Sequence, residues 1–426
     1  MNFEVLYTAA HAEFPDTEPL GGGKAVADYL IREWQREQQF LLTVLSPRAL
    51  GLLAGSGVAA LLRSADEHAD SLQNRRFTEA PLKPPITKPL AELTELEYAR
   101  FCRNFERAAT AEILKRNPQQ CVVLSNDISE GPDFGVLGER GYRIVTIFHV
   151  DVAEYFTKFY LRGVVKPETA ARFRWFSLLP DVLRLVFQKQ YECVRHSTRI
   201  IVPSAPMRET ILRCYPWCPL EKIVVLPWGN ISGDPLAPTP VSALPRLPEI
   251  TDDEFVILTL SRLSPEKGIE RLLAALPHVE AAGRRLRVFI CGGPAYMKGR
   301  AYERKLQRLA AKIANVRVEF TGHVSGEMKG ALLQRADLFV SPSRHESYGL
   351  TIAEALGAGC RVISHNHYGA SGQVVDCSNP AALASAISAM IANGRTRKTG
   401  AAPPPTQAAG QLAKLLATVA ESSRGL

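Results

Sequence analysis

The chain has 426 residues, 46% of them apolar and 22% charged, with a formal net charge of +8. This is the composition of a globular protein long enough for two or three domains, and no run approaches the ~18 apolar residues of a membrane-spanning helix. The positive balance suits an anionic ligand or surface, while the lack of zinc-finger spacing, of an aromatic RNA-binding strand and of a long basic block argues against nucleic acid.

The N-terminus opens on the strand-like FEVLY (3–7) without a basic segment before it, so it does not read as a secretory signal. A helical pattern follows in KAVADYLIREWQ (24–35), then a strand in LLTVL (41–45) and a polar insertion near 64–90. A helix at about 95–116 leads to strands in CVVLSND (121–127) and YRIVTIFH (142–149). Leu183, Val186, Phe187, Tyr191 and Val194 share one face of a helix at about 181–197. RIIVPS (199–204) and KIVVLPW (222–228) are again strand-like. GDPLAPTPVSALPRLP holds five prolines and little periodicity, the composition of a linker. A second series then alternates strands (FVILTLSR, RLRVFICGG, VRVEFTG, DLFVSPS, RVIS) with helices near 268–281, 299–314, 325–335 and 349–358. Strand–helix alternation predicts an α/β protein with two doubly wound parallel sheets. The expected division is a first domain over 1–232, a linker over 233–248 and a second domain over 249–400, with a C-terminal helix at about 409–426.

Eight cysteines, Cys102, Cys121, Cys193, Cys214, Cys218, Cys291, Cys360 and Cys377, are scattered without a CxxC pair. Cys121 in CVVL and Cys291 in VFIC sit in apolar runs, as small buried thiols do, so a reducing cytoplasm is the expected setting. Arg300, Arg304, Lys305, Arg308 and Lys312 recur at helical spacing and read as a solvated helix face. His365-Asn366-His367 brings no nearby acid or cysteine and reads as a polar loop; no metal site is expected.

Three segments carry chemistry. SPSRHESYGLTIAEAL (341–356) passes from strand to polar loop to helix and places Glu346 in the loop and Glu354 on the helix, whose N–H groups and dipole suit a phosphate. SRLSPEKG (261–268) puts Arg262 and Lys267 at the C-terminal end of a strand, where parallel sheets bind ligands and two cations can meet one diphosphate. PLGGGKAVADYL (19–30) brings Gly22 and Gly23 before a helix N-terminus, where backbone can approach phosphate, without the spacing of a P-loop. TIFHVDVAEYF (146–156) ends a strand on His149 and Asp151.

The run SPSRHESYGLTIAEALGAGCRVIS resembles the Glu-x7-Glu segment of the retaining family-four glycosyltransferases, which have the GT-B fold of two Rossmann-like domains facing across a cleft. The resemblance implies that Glu346 holds hydroxyls of a donor sugar and Glu354 the ribose of its nucleotide, with Ser347, Tyr348, Gly349 and Leu350 at the helix start against the donor. It assigns Arg262 and Lys267 to the departing diphosphate, and Gly22 and Gly23 to covering that diphosphate from the opposite domain. His149 would position donor and acceptor, sharing charge with Asp151. Gly292 and Gly293 in CGG would approach the ribose or base, and His323 and Val324 in FTGHV would border the base mainly through backbone. In relatives a terminal helix often returns to the first domain.

The implied activity is retaining transfer of a hexosyl unit from a nucleotide-diphosphate sugar to a hydroxyl acceptor, without a cofactor or resident metal. Two alternatives stay open: a nucleotide-sugar-binding protein without transfer, and an epimerase on the same framework. The first is prompted by a segment after Ser364 that looks shorter than in relatives. Pro19 and Leu20 stand where glycogen synthases carry a lysine, which counts against that specificity. The acceptor is not readable. Tyr155, Phe156, Lys158, Phe159, Tyr160, Arg162, Arg172, Phe173, Arg174, Trp175 and Phe176 fit either core aromatics with solvated charges or peripheral contact with a membrane-borne acceptor.

Overall fold

The computed structural model describes residues 3–12, 21–47, 93–161, 163–173, 181–231, 250–251, 253–295, 299–394 and 406–422. The predicted linker 233–248, the insertion near 64–90, Pro19, Leu20, Arg162, Arg174, Trp175 and Phe176 lie outside the described residues.

The first lobe runs β1 (Glu4–Thr8), α1 (Gly22–Glu37), β2 (Leu41–Leu45), α2 (Glu95–Ile113), β3 (Cys121–Ser125), α3 (Phe134–Glu139), β4 (Arg143–Ile147), α4 (Val152–Phe159), α5 (Pro167–Ala170), α6 (Asp181–His196), β5 (Arg199–Val202), α7 (Ala205–Cys214) and β6 (Ile223–Val225). Its strands form one parallel sheet in the order β2-β1-β3-β4-β5-β6. The sequence reason is plain in β3 and β4: CVVLS and RIVTI are buried at every position, as strands covered on both faces must be. Local signals set the helix starts. Thr94 and Glu97 form a reciprocal capping box at α2. Asp151 caps α4 by accepting from Glu154 N at 3.1 Å.

The second lobe runs β7 (Glu254–Leu260), α8 (Ile269–Ala275), β8 (Arg285–Cys291), α9 (Gly299–Ala310), β9 (Val316–Gly322), α10 (Gly326–Arg335), β10 (Leu338–Ser341), α11 (Leu350–Gly357), β11 (Arg361–Ser364), β12 (Gln373–Val374) and α12 (Pro380–Ala392). Its sheet is also parallel, in the order β12-β11-β10-β7-β8-β9. Among the polar groups buried in this lobe, Arg287 on β8 meets Glu254 of β7 at 3.1 Å and Glu319 of β9 at 2.9 Å. The five basic residues of the α9 region, Arg300 to Lys312, are exposed, and the other face of α9 buries Tyr302 and Leu306.

The last helix, α13 (Ala408–Glu421), packs on the first sheet. Leu412, Leu416 and Val419 join Val5, Tyr7, Trp34, Val122 and Val145 in one core, each worth about 1.5–3 kcal/mol when fully buried. Trp34 Nε1 donates to Ala409 O at 3.1 Å, and the buried Arg143 guanidinium donates to Ala420 O at 2.6 Å, placing a cation at the negative end of α13. Among the described residues no helix is long and apolar enough to cross a membrane.

Both sheets reverse direction at an inner strand. In the first, the chain goes from β1 outward to β2 and then returns to β3 on the other side; in the second, it goes from β7 to β8 and β9, then returns to β10. The crevices beyond the C-terminal ends of β1 and β3, and of β7 and β10, are therefore where such sheets bind ligands.

Candidate active site

The second-lobe crevice gathers the predicted charges. After β7 the chain turns through Arg262 and a 3-10 turn at Pro265–Lys267. After β10 it runs through Ser343 and Glu346 into α11. Lys267 Nζ lies 2.7 Å from Glu346 Oε1, and Ser343 Oγ donates to the same oxygen at 2.9 Å. Burial pushes the Glu346 carboxyl up, but Lys267, His367 and Ser343 outweigh it and hold it below its ordinary range, so it is ionised at neutral pH. Glu354, near-buried on α11, pairs with Lys329 Nζ of α10 at 2.8 Å. Gly349 begins α11 at φ 80, which favours glycine, and no side chain caps that helix end. Arg262 Nη2 lies 3.7 Å from Glu266 Oε1.

The first lobe meets this crevice through its glycine turn. Helix α1 starts at Gly22, two residues earlier than the periodicity suggests, so Gly22 and Gly23 form its first turn and Gly21 its cap. A Cβ on Gly21 would lie 3.3 Å from the Arg262 guanidinium, one on Gly22 3.2 Å from Leu350, and one on Gly23 3.5 Å from the His149 ring. Arg262, Leu350 and His149 thus converge on one turn. His149 Nε2 is 3.4 Å from Asn126 Oδ1, and Asn126 Nδ2 donates to Gly23 O at 3.1 Å. Burial lowers the His149 pKa, so the ring is neutral at pH 7.

Other residues fall differently. Asp151 does not share charge with His149: it is fully buried, caps α4, and burial lifts its carboxyl to about 6. The acids acting on His149 are instead Asp127 and Glu130. Gly292 has a packing reason of its own, since a Cβ there would lie 1.8 Å from Ser261 O; together Gly292 and Gly293 press the end of β8 against the segment carrying Arg262. His323 is exposed, while Val324 is buried in a core cluster with Leu332 and Leu333 of α10. His367 departs from a solvated polar loop: it is 8% exposed. Among the described residues no group of three or more His, Cys, Asp or Glu is set to hold a metal ion.

Sequence reasoning missed Asn126, Ser343, His345 and Lys329. Asn126 carried the best signal, a polar residue directly after the strand beside which the first sheet reverses. It also accepts from Tyr7 OH at 2.5 Å.

Comparison with known proteins adds the family. Residues 244–400 match the glycosyl transferases group 1 family. The second lobe belongs to the glycosyl transferases group 1 family. A D-inositol 3-phosphate glycosyltransferase of Geodermatophilus obscurus is 29% identical over 224 residues, 49% of each chain. The chain spans about half, or less, of the length of the curated relatives it matches. Sucrose-phosphate synthase from Thermosynechococcus elongatus superposes with a TM-score of 0.61 at 19% identity, covering 99% of this chain and 97% of its own. The Anabaena protein HepE, solved with UDP-glucose, superposes with a TM-score of 0.57 at 18% identity over 100% of both chains. At such identities the structural likeness establishes the fold, GT-B, over both lobes.

Beside Glu346 the lobes meet in a polar and aromatic seam. Tyr368 OH and Thr210 Oγ1 are 2.6 Å apart, Gly229 N donates to Tyr348 OH at 2.7 Å, and Ser204 Oγ donates to Ser347 O at 3.3 Å. The His345 ring stands edge-on to Tyr155, Phe159 and Tyr368. His345 and His367 are buried with all four ring nitrogens lacking hydrogen-bond partners. Burial pushes both pKa values down to about 4. Much of the predicted aromatic cluster is core: Phe156, Phe173 and Phe187 pack on one another, while Tyr160 is 57% exposed.

Proposed function

We propose that the chain transfers a hexosyl unit from a nucleotide-diphosphate sugar to a hydroxyl acceptor with retention of anomeric configuration, working in the cytoplasm. The observation that carries this reading is the convergence of Arg262, Lys267 and Glu346, from the ends of β7 and β10, with the open glycine turn of α1 opposite. Two cations and two helix N-termini suit a diphosphate. Glu354, paired with Lys329, suits the nucleoside end; Glu346 suits the sugar end. The complex of HepE with UDP-glucose supports a nucleotide sugar as the ligand class.

In this reading the bond from the anomeric carbon to the diphosphate oxygen breaks while Arg262 and Lys267 take up the developing charge, which is stabilisation of the transition state by preorganised cations. The acceptor oxygen bonds to the anomeric carbon on the same face, and its proton passes to the departing phosphate oxygen. Glu346, ionised and hydrogen-bonded, orients sugar hydroxyls rather than attacking. His149, neutral and held by Asn126, sets the acceptor side. These residues supply the charge, so the reading invokes no cofactor or resident metal.

The test is incubation with UDP-, GDP- and ADP-sugars, with the anomer of released or transferred sugar read by proton NMR. Retained configuration is expected, with His149→Ala lowering kcat far more than nucleotide affinity. Inverted product, or a glycosyl adduct trapped on a carboxylate, overturns the mechanism. Binding without release from any donor overturns the transferase reading.

A further inference from the structure

Outside the cleft, the first lobe holds a cavity of about 310 Å³ between α5 and the end of α7, at the lower end of the range for small-molecule sites. None of its lining residues belongs to the site described above. Its wall includes Trp217, which is 48% exposed and meets Tyr191 and Tyr215 only edge-on. Arg172 and Arg213 stand with it, and Glu168 completes the polar set. Arg213 Nε donates to Glu168 Oε1 at 2.8 Å, while the buried Glu168 Oε2 has no hydrogen-bond partner. The Glu168 side chain is 30% exposed, so its carboxylate can take a donor from a ligand as well as from Arg213.

We propose that this cavity is a carbohydrate subsite that takes one pyranose ring. A pyranose offers hydroxyl donors to the Glu168 carboxylate, hydroxyl oxygens as acceptors to the two guanidiniums, and an apolar C–H face to the indole of Trp217. A phosphate would meet the guanidiniums but has no apolar face for the exposed indole of Trp217, and an apolar ligand would offer no acceptor to either guanidinium. The cavity borders the seam: Arg213 Nη2 donates to Thr210 Oγ1 at 2.8 Å, and Thr210 reaches Tyr368 of the second lobe at 2.6 Å. A glycan lying from this subsite towards the seam runs towards Glu346, whose backbone carbonyl accepts from Gly369 N, the residue after Tyr368. Naming the ring as part of an acceptor rests on the transferase reading; the binding itself does not.

The experiment is calorimetric titration of the full chain with methyl glycosides of glucose, mannose, galactose and N-acetylglucosamine, with sodium phosphate and glycerol alongside. At least one glycoside should saturate, with Kd of about 1 mM, equivalent to about −4 kcal/mol. Glu168→Gln and Trp217→Ala should each weaken it about 10-fold while leaving the nucleotide-induced rise in melting temperature unchanged. Arg172→Ala, at an exposed side chain, serves if either variant misfolds and should weaken binding about 3-fold. No saturation at tens of millimolar, equal binding by the variants, or saturation by phosphate alone would overturn the proposal. Glycoside binding without any nucleotide binding would sink the transferase reading and leave the subsite standing; the converse would do the opposite.

Discussion

Replacing Lys267 by Met tests the ion pair at the centre of the site. Lys267 and Glu346 side chains are 13% and 16% exposed and 2.7 Å apart. A hydrogen bond to a charged group contributes about 1.5–3 kcal/mol, and the residual exposure pulls this pair towards the lower half of that range. Lys267→Met leaves Glu346 with Ser343 alone and should cost the fold about 2 kcal/mol at pH 7. Glu346→Gln removes the charge that Lys267 answers, so the double variant should be less destabilised than the sum, with a coupling of at least about 1 kcal/mol. The pH dependence follows from the depressed Glu346 carboxyl. Its contribution is present above the ordinary carboxylate range and is lost as pH falls through the folded-state pKa, so the gap between wild type and Lys267→Met should close in acid. Urea unfolding of the four proteins at pH 7 and pH 3 measures both quantities. Additivity within about 0.3 kcal/mol, or a gap unchanged in acid, refutes the pairing.

The seam predicts a second pH effect. His345 and His367 are neutral in the folded chain with pKa values of about 4, against about 6.5 in water. Stability from these depressed histidines is present above about pH 6.5 and lost towards pH 4, at about 1 kcal/mol per pH unit for each ring. The groups acting on the two rings are Glu154, Lys158, Glu346, Lys267 and His365. Asp151, lifted to about 6, works in the opposite sense, so the reading is the difference between wild type and His345→Gln/His367→Gln by denaturant melts from pH 7.5 to 5; parallel curves would count against it. Gly292→Ala should cost about 3 kcal/mol, since its Cβ would meet Ser261 O at 1.8 Å, and should weaken nucleotide binding through Arg262; a melt within 1 °C of wild type contradicts this. Arg143→Met should free the end of α13, seen as faster amide exchange over 416–422 with the second lobe unaffected.

Much of the fold was legible because its strands are continuous apolar runs and its long helices have one apolar face. VRVEFTG and RVIS are strands as read, and α6 covers nearly the span expected. Short helices were not legible. Helix α4 lies in an aromatic stretch whose pattern reflects core packing on one side and the seam on the other, and α5 has only four residues, fewer than two turns. Glu346, Arg262 and Lys267 were legible because each follows a recognisable strand. Asp151 misled because its neighbour in sequence, His149, faces another way: the carboxylate is turned to the start of α4. Partners that arrive from another segment, such as Lys329 for Glu354, leave no local pattern. The isolation of His345 among rings of the other lobe is likewise a property of the assembled seam.

The most direct test is a thermal-shift titration with UDP, GDP, ADP and dTDP, alone and as their glucose conjugates, on wild type, Arg262→Ala and Glu354→Gln. Two lobes that form one diphosphate-gripping cleft should give wild type a rise in melting temperature with at least one nucleotide, equivalent to about 2.7 kcal/mol at 100 times Kd. Arg262→Ala should blunt that rise for every nucleotide, and Glu354→Gln should blunt it for those that carry ribose. No rise with any ligand, or the same rise in all three proteins, would contradict the cleft.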